Sequence, residues 1–150
     1  MENKLKLLSP TERIDIRSDP WGDGHFGAPR GDHTHKGIDL RVYHREALVA
    51  PLICRVKRIA WPYRYQGKYM GIVLRSANEA RNAEIKIFYM VPDETKLWTK
   101  SHQVLLQGEL IGMAQNISEK YDYRMLSHIH LELRIDGKLV DPEPYLIDRG

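Results

Sequence analysis

Ser127-His128-Ile129-His130-Leu131-Glu132-Leu133-Arg134-Ile135 is the stretch on which the fold turns. Its apolar residues fall at every second position, the period of a strand and not of a helix. His128, His130, Glu132 and Arg134 therefore share one face, while Ile129, Leu131, Leu133 and Ile135 form the buried one. Asp136-Gly137 follows directly, a two-residue pair suited to a tight hairpin. Along such a strand the two imidazoles project side by side, with Cα atoms about 7 Å apart. Taken alone, a His-x-His of this kind is often no more than a pair of exposed histidines.

Outward from this strand, similar short β-rich runs recur between turn-prone clusters, and no window carries a sustained helical period with caps at both ends. The expected strands are Ala47–Ala50, Leu52–Ala60, Gly71–Ser76, Glu84–Val91 and Leu105–Gly112, in addition to His128–Ile135. Leu52–Ala60 and Glu84–Val91 alternate apolar with charged residues, as half-exposed antiparallel strands do. Residues 1–20 read as a lead-in with one short strand at Arg13–Arg17, and residues 21–150 as one domain. The fold class is all-β, mainly antiparallel, with little helix.

Composition fits this picture. The chain has 150 residues, enough for a single domain with a substantial core. Hydrophobic residues make up 42% and charged residues 29%, values of an ordinary globular protein. One cysteine, Cys54, excludes an internal disulfide framework and any Cys-rich zinc module. The net charge of +3 admits an acidic partner without demanding one, and no nucleic-acid reader motif accompanies it. No run approaches the roughly 20 apolar residues of a membrane helix. The N-terminal residues are too polar for a signal peptide, so cytosolic synthesis is expected. With seven histidines and one cysteine, a metal site here would be built from imidazoles and carboxylates.

A second histidine-rich segment, His33-Thr34-His35-Lys36-Gly37-Ile38-Asp39, completes such a set. His35 and Asp39 would lie about 13 Å apart if fully extended, so a shared ion needs a bend, which Gly37 can supply. Zinc in hydrolytic sites takes three N/O protein ligands and leaves a position for water. His35, Asp39 and one of His128 or His130 make that set; the spacing does not choose between the last two. The remaining histidine is then placed to carry a proton to or from the attacking water.

Phe26-Gly27-Ala28-Pro29-Arg30 followed by His35-Lys36-Gly37-Ile38-Asp39 resembles the His-x-x-x-Asp signature of the M23 (lysostaphin/LytM-type) zinc metallopeptidases. Ser127-His128-Ile129-His130-Leu131-Glu132, with Asp141-Pro142 and Tyr145-Leu146 after it, resembles that family's His-x-His block and tail. Leu48-Val49-Ala50-Pro51 and Gly108-Glu109-Leu110-Ile111-Gly112 occur at the corresponding places between them. The resemblance covers about residues 22–146. It implies an antiparallel β domain with a central groove and one Zn2+ at its floor, held by His35, Asp39 and His130, with His128 as catalytic acid/base. The implied substrate is the peptide cross-link of bacterial peptidoglycan, or a glycan-linked peptide.

One departure separates this chain from that family. The family's second catalytic histidine lies in a Tyr-x-His-Leu context, and here Tyr89-Met90-Val91-Pro92 puts Val91 in its place. Val91 can neither move a proton nor stabilise an oxyanion. Tyr89 is a candidate substitute in the groove, although in a continuous strand it would share Val91's face; His102, in a turn-like link, is expected to be uninvolved. The segment 85–92 is similar to the leukocyte cell-derived chemotaxin 2 branch of the fold, which is non-peptidase. Two expectations follow: a zinc metalloendopeptidase, and a non-catalytic zinc-stabilised binding or structural module. A leaderless domain of this family would suit a bacteriophage particle, among virion proteins, or a lysis protein.

Other residues bear on the groove. Arg30, in an incidental Arg30-Gly31-Asp32 tripeptide, either lines it and meets a substrate carboxylate or stands solvated at the surface. Glu132 shares the histidines' face and can orient a ligand or form a cross-strand ion pair. Trp61, Tyr63, Tyr65 and Tyr69 form an aromatic loop that either walls the groove or caps the core.

Overall fold

The computed structural model describes residues 5–64, 67–97, 103–121 and 124–149. Tyr65 and His102 lie outside them. Among the described residues the chain is mostly antiparallel strand, with one four-residue helix, Glu94–Leu97, and two 3-10 turns. No described helix is long and apolar enough to cross a membrane.

The main sheet has six strands. Lys138–Val140, His128–Ile135, Ala83–Phe88, Gly71–Ser76 and Cys54–Ala60 follow one another, and Ile38–Arg41 also pairs with His128–Ile135. Ile38–Arg41 faces residues 128–131 and Lys138–Val140 faces residues 133–135, while Ala83–Phe88 covers 130–135 from the other side, so most of His128–Ile135 has a neighbour on both sides. Ala83–Phe88 alternates as its sequence requires: Ala83, Ile85 and Ile87 are buried, while Glu84, Lys86 and Phe88 are half-buried. Ile85 and Ile87 stand opposite Leu133 and Leu131, which sets the register and fills the core face. The Asp136-Gly137 turn carries φ of 52° and 78° and joins Ile135 to Lys138, the positive-φ pair that a type I′ hairpin needs.

A three-stranded sheet of Met90–Pro92, Leu110–Ala114 and Ala47–Val49 contributes Met90, Ile111 and Leu48 to the same core. Residues 5–17, read from the sequence as a lead-in, lie against it. Leu7 is fully buried, Leu7–Leu8 pairs with Leu146–Ile147, and Ile16 bridges Leu40.

Ala47–Val49 and Cys54–Ala60 are shorter than expected by one and two residues, the expected strand Arg13–Arg17 is reduced to the bridge at Ile16, and two further boundaries differ more deeply. Tyr89 has a φ of 69°, which divides the run 84–91 into Ala83–Phe88 and Met90–Pro92 and sends its two halves into different sheets. Leu105 makes only a bridge to Cys54, because the chain turns at Gly108, with φ of 89°, before Leu110–Ala114 begins.

The chain bends at Lys36-Gly37, as the shared ion required, and it does so without a positive φ. A Cβ on Gly37 would sit 2.1 Å from the Leu131 carbonyl oxygen. The glycine thus lets the His35–Asp39 segment lie directly against His128–Ile135.

Candidate metal centre and groove

The strand pairing places Asp39 opposite His130 across the Ile38–Arg41 and His128–Ile135 ladder. His35 comes over the same spot from the preceding turn. Its Nε2 lies 3.0 Å from His130 Nδ1 and 3.2 Å from Asp39 Oδ1, and His130 Nδ1 lies 3.0 Å from Asp39 Oδ1. The three residues thus present one donor atom each to a common point. At zinc–ligand distances of about 2.0–2.1 Å, tetrahedral donors sit roughly 3.3–3.4 Å apart, close to this triangle.

The outward-facing atoms fix which ring nitrogens carry protons. His35 Nδ1 donates to the His25 carbonyl oxygen at 3.1 Å, and His130 Nε2 donates to Glu132 Oε2 at 2.9 Å. Nε2 of His35 and Nδ1 of His130 are then left with lone pairs aimed at a carboxylate oxygen. Three such acceptors at 3.0–3.2 Å repel one another unless a cation joins them. Donor set, spacing and tautomers all fit a divalent metal.

Charge around the centre agrees. Burial alone would raise the Asp39 carboxyl, but the imidazoles of His130, His35 and His128 packed around it hold it well below the ordinary range. Burial works against a charged His130, yet Asp39 and Glu132 on either side raise its affinity for a proton. The same two carboxylates favour a metal cation at that point.

Asp39 is held from behind by a residue that sequence reading missed. Arg17, almost wholly buried, donates from Nε to Asp39 Oδ2 at 3.0 Å and from Nη1 to Asp19 Oδ1 at 2.8 Å. Asp19 in turn accepts from the Leu126 backbone N–H at 2.9 Å, and the Leu126 carbonyl accepts from His128 Nδ1 at 2.7 Å. One chain of bonds therefore connects Asp39 to His128. No local pattern marks Arg17, whose neighbours in the same alternation, Arg13 and Asp15, are exposed and half-buried.

His128 turns Nε2 toward the centre, 3.8 Å from Asp39 Oδ2. Burial pushes its pKa down to about 4, so the imidazole is neutral at ordinary pH and its Nε2 lone pair can accept a proton. Against it stands Tyr89, edge to face with ring centroids 5.6 Å apart. Burial pushes the Tyr89 phenol up to about 12, which keeps the hydroxyl a donor. The positive φ at Tyr89 is what turns this side chain into the groove. Val91 does not share its face: its side chain is 44% exposed, opposite Met113 in the three-stranded sheet, and is not among those lining the groove.

The groove is open, with a volume of about 600 Å³, and Trp21, Arg30, Lys36, Tyr89 and Tyr121 rise around the three donors. Arg30 lines it, but its guanidinium already donates to the Asp23 carbonyl at 2.7 Å and lies 3.6 Å from Asp39. Of the aromatic loop, Trp61, Tyr63 and Tyr69 do not line the groove. Tyr63 and Tyr69 pack behind Tyr89, with ring centroids 6.2 and 6.4 Å from it, and so support that ring instead. Glu132 takes both of its expected parts, orienting His130 and lying 3.8 Å from Lys86 Nζ across the sheet.

No family model matches the chain. Over 108 residues it is 26% identical to an uncharacterized metalloprotease of Haemophilus influenzae, covering 72% of this chain and 20% of that protein. The chain thus spans about a fifth of that curated relative. The catalytic domain of the antimicrobial peptidase lysostaphin from Staphylococcus simulans superposes with a TM-score of 0.58 at 17% identity, over 81% of this chain and 87% of the other. A zinc containing peptidase from Vibrio cholerae gives a TM-score of 0.56 at 16% identity, over 88% and 37%. The fold is that of lysostaphin-like, M23-type metallopeptidases.

Proposed function

We propose that the chain is a zinc-dependent endopeptidase domain that hydrolyses peptide bonds in bacterial peptidoglycan. The observation that carries this reading is the convergence of three lone-pair donors beside a neutral His128 and a protonated Tyr89 in one open groove. The lysostaphin-like fold and the zinc content of the Vibrio cholerae peptidase support it.

His35 Nε2, His130 Nδ1 and Asp39 Oδ1 would hold the metal, with His25, Glu132 and Arg17 fixing their orientation. Zinc, when bound, polarises a substrate carbonyl and lowers the pKa of water. His128 Nε2 accepts the proton of the attacking water and returns it to the departing amine; its Nδ1 bond to Leu126 keeps that lone pair aimed inward. The Tyr89 hydroxyl donates to the negative charge that grows on the carbonyl oxygen. It fills the place the family gives to the histidine that Val91 replaces.

A second reading, a non-catalytic zinc-stabilised module related to the chemotaxin branch, is favoured by one observation. Apart from the two proposed ligands, the only histidines among the described residues that line the groove are His128 and the exposed His33. The deciding experiment incubates zinc-loaded protein with purified peptidoglycan and analyses the released muropeptides, with His128→Ala as control. Cleavage that disappears in the variant is the expected result. Absence of cleavage at every pH, with one zinc bound per chain, would leave the second reading.

A further inference from the structure

The sheet face that carries the metal centre continues past it, and the register shows what lies there. His130 heads a row that runs through Phe88, Gly71 and Ala60. The next row on the same face is Glu132, Lys86, Val73 and Arg58, and the one beyond starts with Arg134 and Glu84. Together Arg58, Val73, Glu84, Lys86, Glu132 and Arg134 surround a recess of about 250 Å³. Glu132 borders both this recess and the main groove, so the two adjoin.

The acids of the recess are already engaged. Glu84 is paired with Lys57 at 3.0 Å, and Glu132 accepts from His130 at 2.9 Å. The bases are not matched in the same way. Lys86 Nζ lies 3.8 Å from Glu132 and 5.3 Å from the Phe88 ring centroid. Arg58 makes only a 3.4 Å bond to the Ile59 carbonyl, and no described carboxylate lies within ion-pair distance of Arg58 or Arg134. Two guanidinium groups and an ammonium therefore border one recess with an excess of positive charge.

Resting on the peptidase reading above, we infer that this recess is a substrate subsite that binds a carboxylate of the peptide chain, with Arg58 and Arg134 as its principal donors. A guanidinium presents a planar fork that matches a carboxylate, and here two such forks face the same space. Position along the strand sets the distance. At about 3.3 Å per residue, Lys86 and Arg58 stand roughly 7 Å from the His130 row, and Arg134 roughly 13 Å. Arg58 is also three strands across from His130, about 14 Å at 4.7–4.9 Å per strand. The two guanidinium groups therefore stand roughly 13–16 Å from His130, and a substrate extended over the sheet would carry its acidic group about four to five residues from the bond that is cut. Arg30 could not serve in this way, since its guanidinium is already bonded within the groove wall.

The test measures binding separately from cleavage. The probes are acetylated hexaglycine amides with one residue replaced in turn by Glu or by its neutral isostere Gln, titrated into zinc-loaded His128→Ala protein by calorimetry at low salt. The expected result is a preference for Glu over Gln of about ten-fold at one or two adjacent positions, the size of one charge-assisted hydrogen bond. Adding Arg134→Gln or Arg58→Gln should remove that preference, while zinc stoichiometry, read by competition with a chromophoric chelator, stays at one. Glu and Gln peptides that bind alike, or fail to bind at millimolar concentration, overturn the subsite. A Glu preference lost in the arginine variants supports it even if the wild-type protein never cleaves peptidoglycan, so the two failures are distinct.

Discussion

Arg17→Met tests the link between burial and metal binding most sharply. The Arg17 side chain is 5% exposed, and its two partners, Asp39 and Asp19, are each 3% exposed. Methionine fills much of the same volume but leaves Asp19 without its cation and Asp39 with only the Arg30 guanidinium, 3.6 Å away. Removing one partner of a buried ion pair costs about 3–5 kcal/mol, because the remaining charge stays desolvated. For a domain of this length, that corresponds to a fall in Tm of about 6–20 °C, measured on chelator-treated protein. Zinc affinity should fall about 10–100-fold as well, since Asp39 Oδ2 loses the donor that holds Oδ1 toward the two histidines. Adding Asp19→Asn to Arg17→Met removes one of the stranded charges and should recover part of the stability but not the zinc affinity. The assays are thermal unfolding by circular dichroism and zinc competition against a chromophoric chelator. A Tm within about 2 °C of the parent protein, together with unchanged zinc affinity, would refute the claim that Arg17 clamps the centre.

Further outcomes follow from the same geometry. Gly37→Ala puts a methyl group 2.1 Å from the Leu131 carbonyl oxygen, so the His35–Asp39 segment must move off its neighbour. Stability should drop by about 1–3 kcal/mol and zinc stoichiometry should fall below one in a metal analysis. Tyr89→Phe removes the groove's phenolic donor and should lower the rate of peptidoglycan cleavage by about 10²–10³ with zinc affinity unchanged. Val91→His should give no gain in that assay, because the new imidazole would stand on the exposed face opposite Met113. Zinc at a thousand times its Kd should raise stability by about 4 kcal/mol, a Tm increase of about 8–16 °C that His35→Ala abolishes.

Much of this fold was legible because His128–Ile135 has a buried face with an unbroken period of two. The Asp136-Gly137 turn was legible because its type demands positive φ at both residues. The break at Tyr89 was not, since Ile85 to Val91 is an uninterrupted β-prone run and nothing local signals a φ of 69°. That one angle decides which side chain faces His128, and therefore how the loss of the family's second histidine is read. The three proposed ligands could be picked out because His-x-x-x-Asp and His-x-His are compact motifs. Arg17 could not, because its importance comes from burial against Asp39, 22 residues away. The bend at Gly37 was legible, but its close approach to Leu131 is visible only in the assembled sheet.

The proposed chemistry needs a zinc ion held by three side chains with a coordination position left for substrate. Crystals of zinc-loaded protein, with anomalous diffraction recorded on both sides of the zinc edge, examine it directly. One anomalous peak is expected, about 2.0–2.2 Å from His35 Nε2, His130 Nδ1 and Asp39 Oδ1, with no fourth protein atom bound. A peak elsewhere, or one closed off by a fourth protein ligand such as His128, would contradict it.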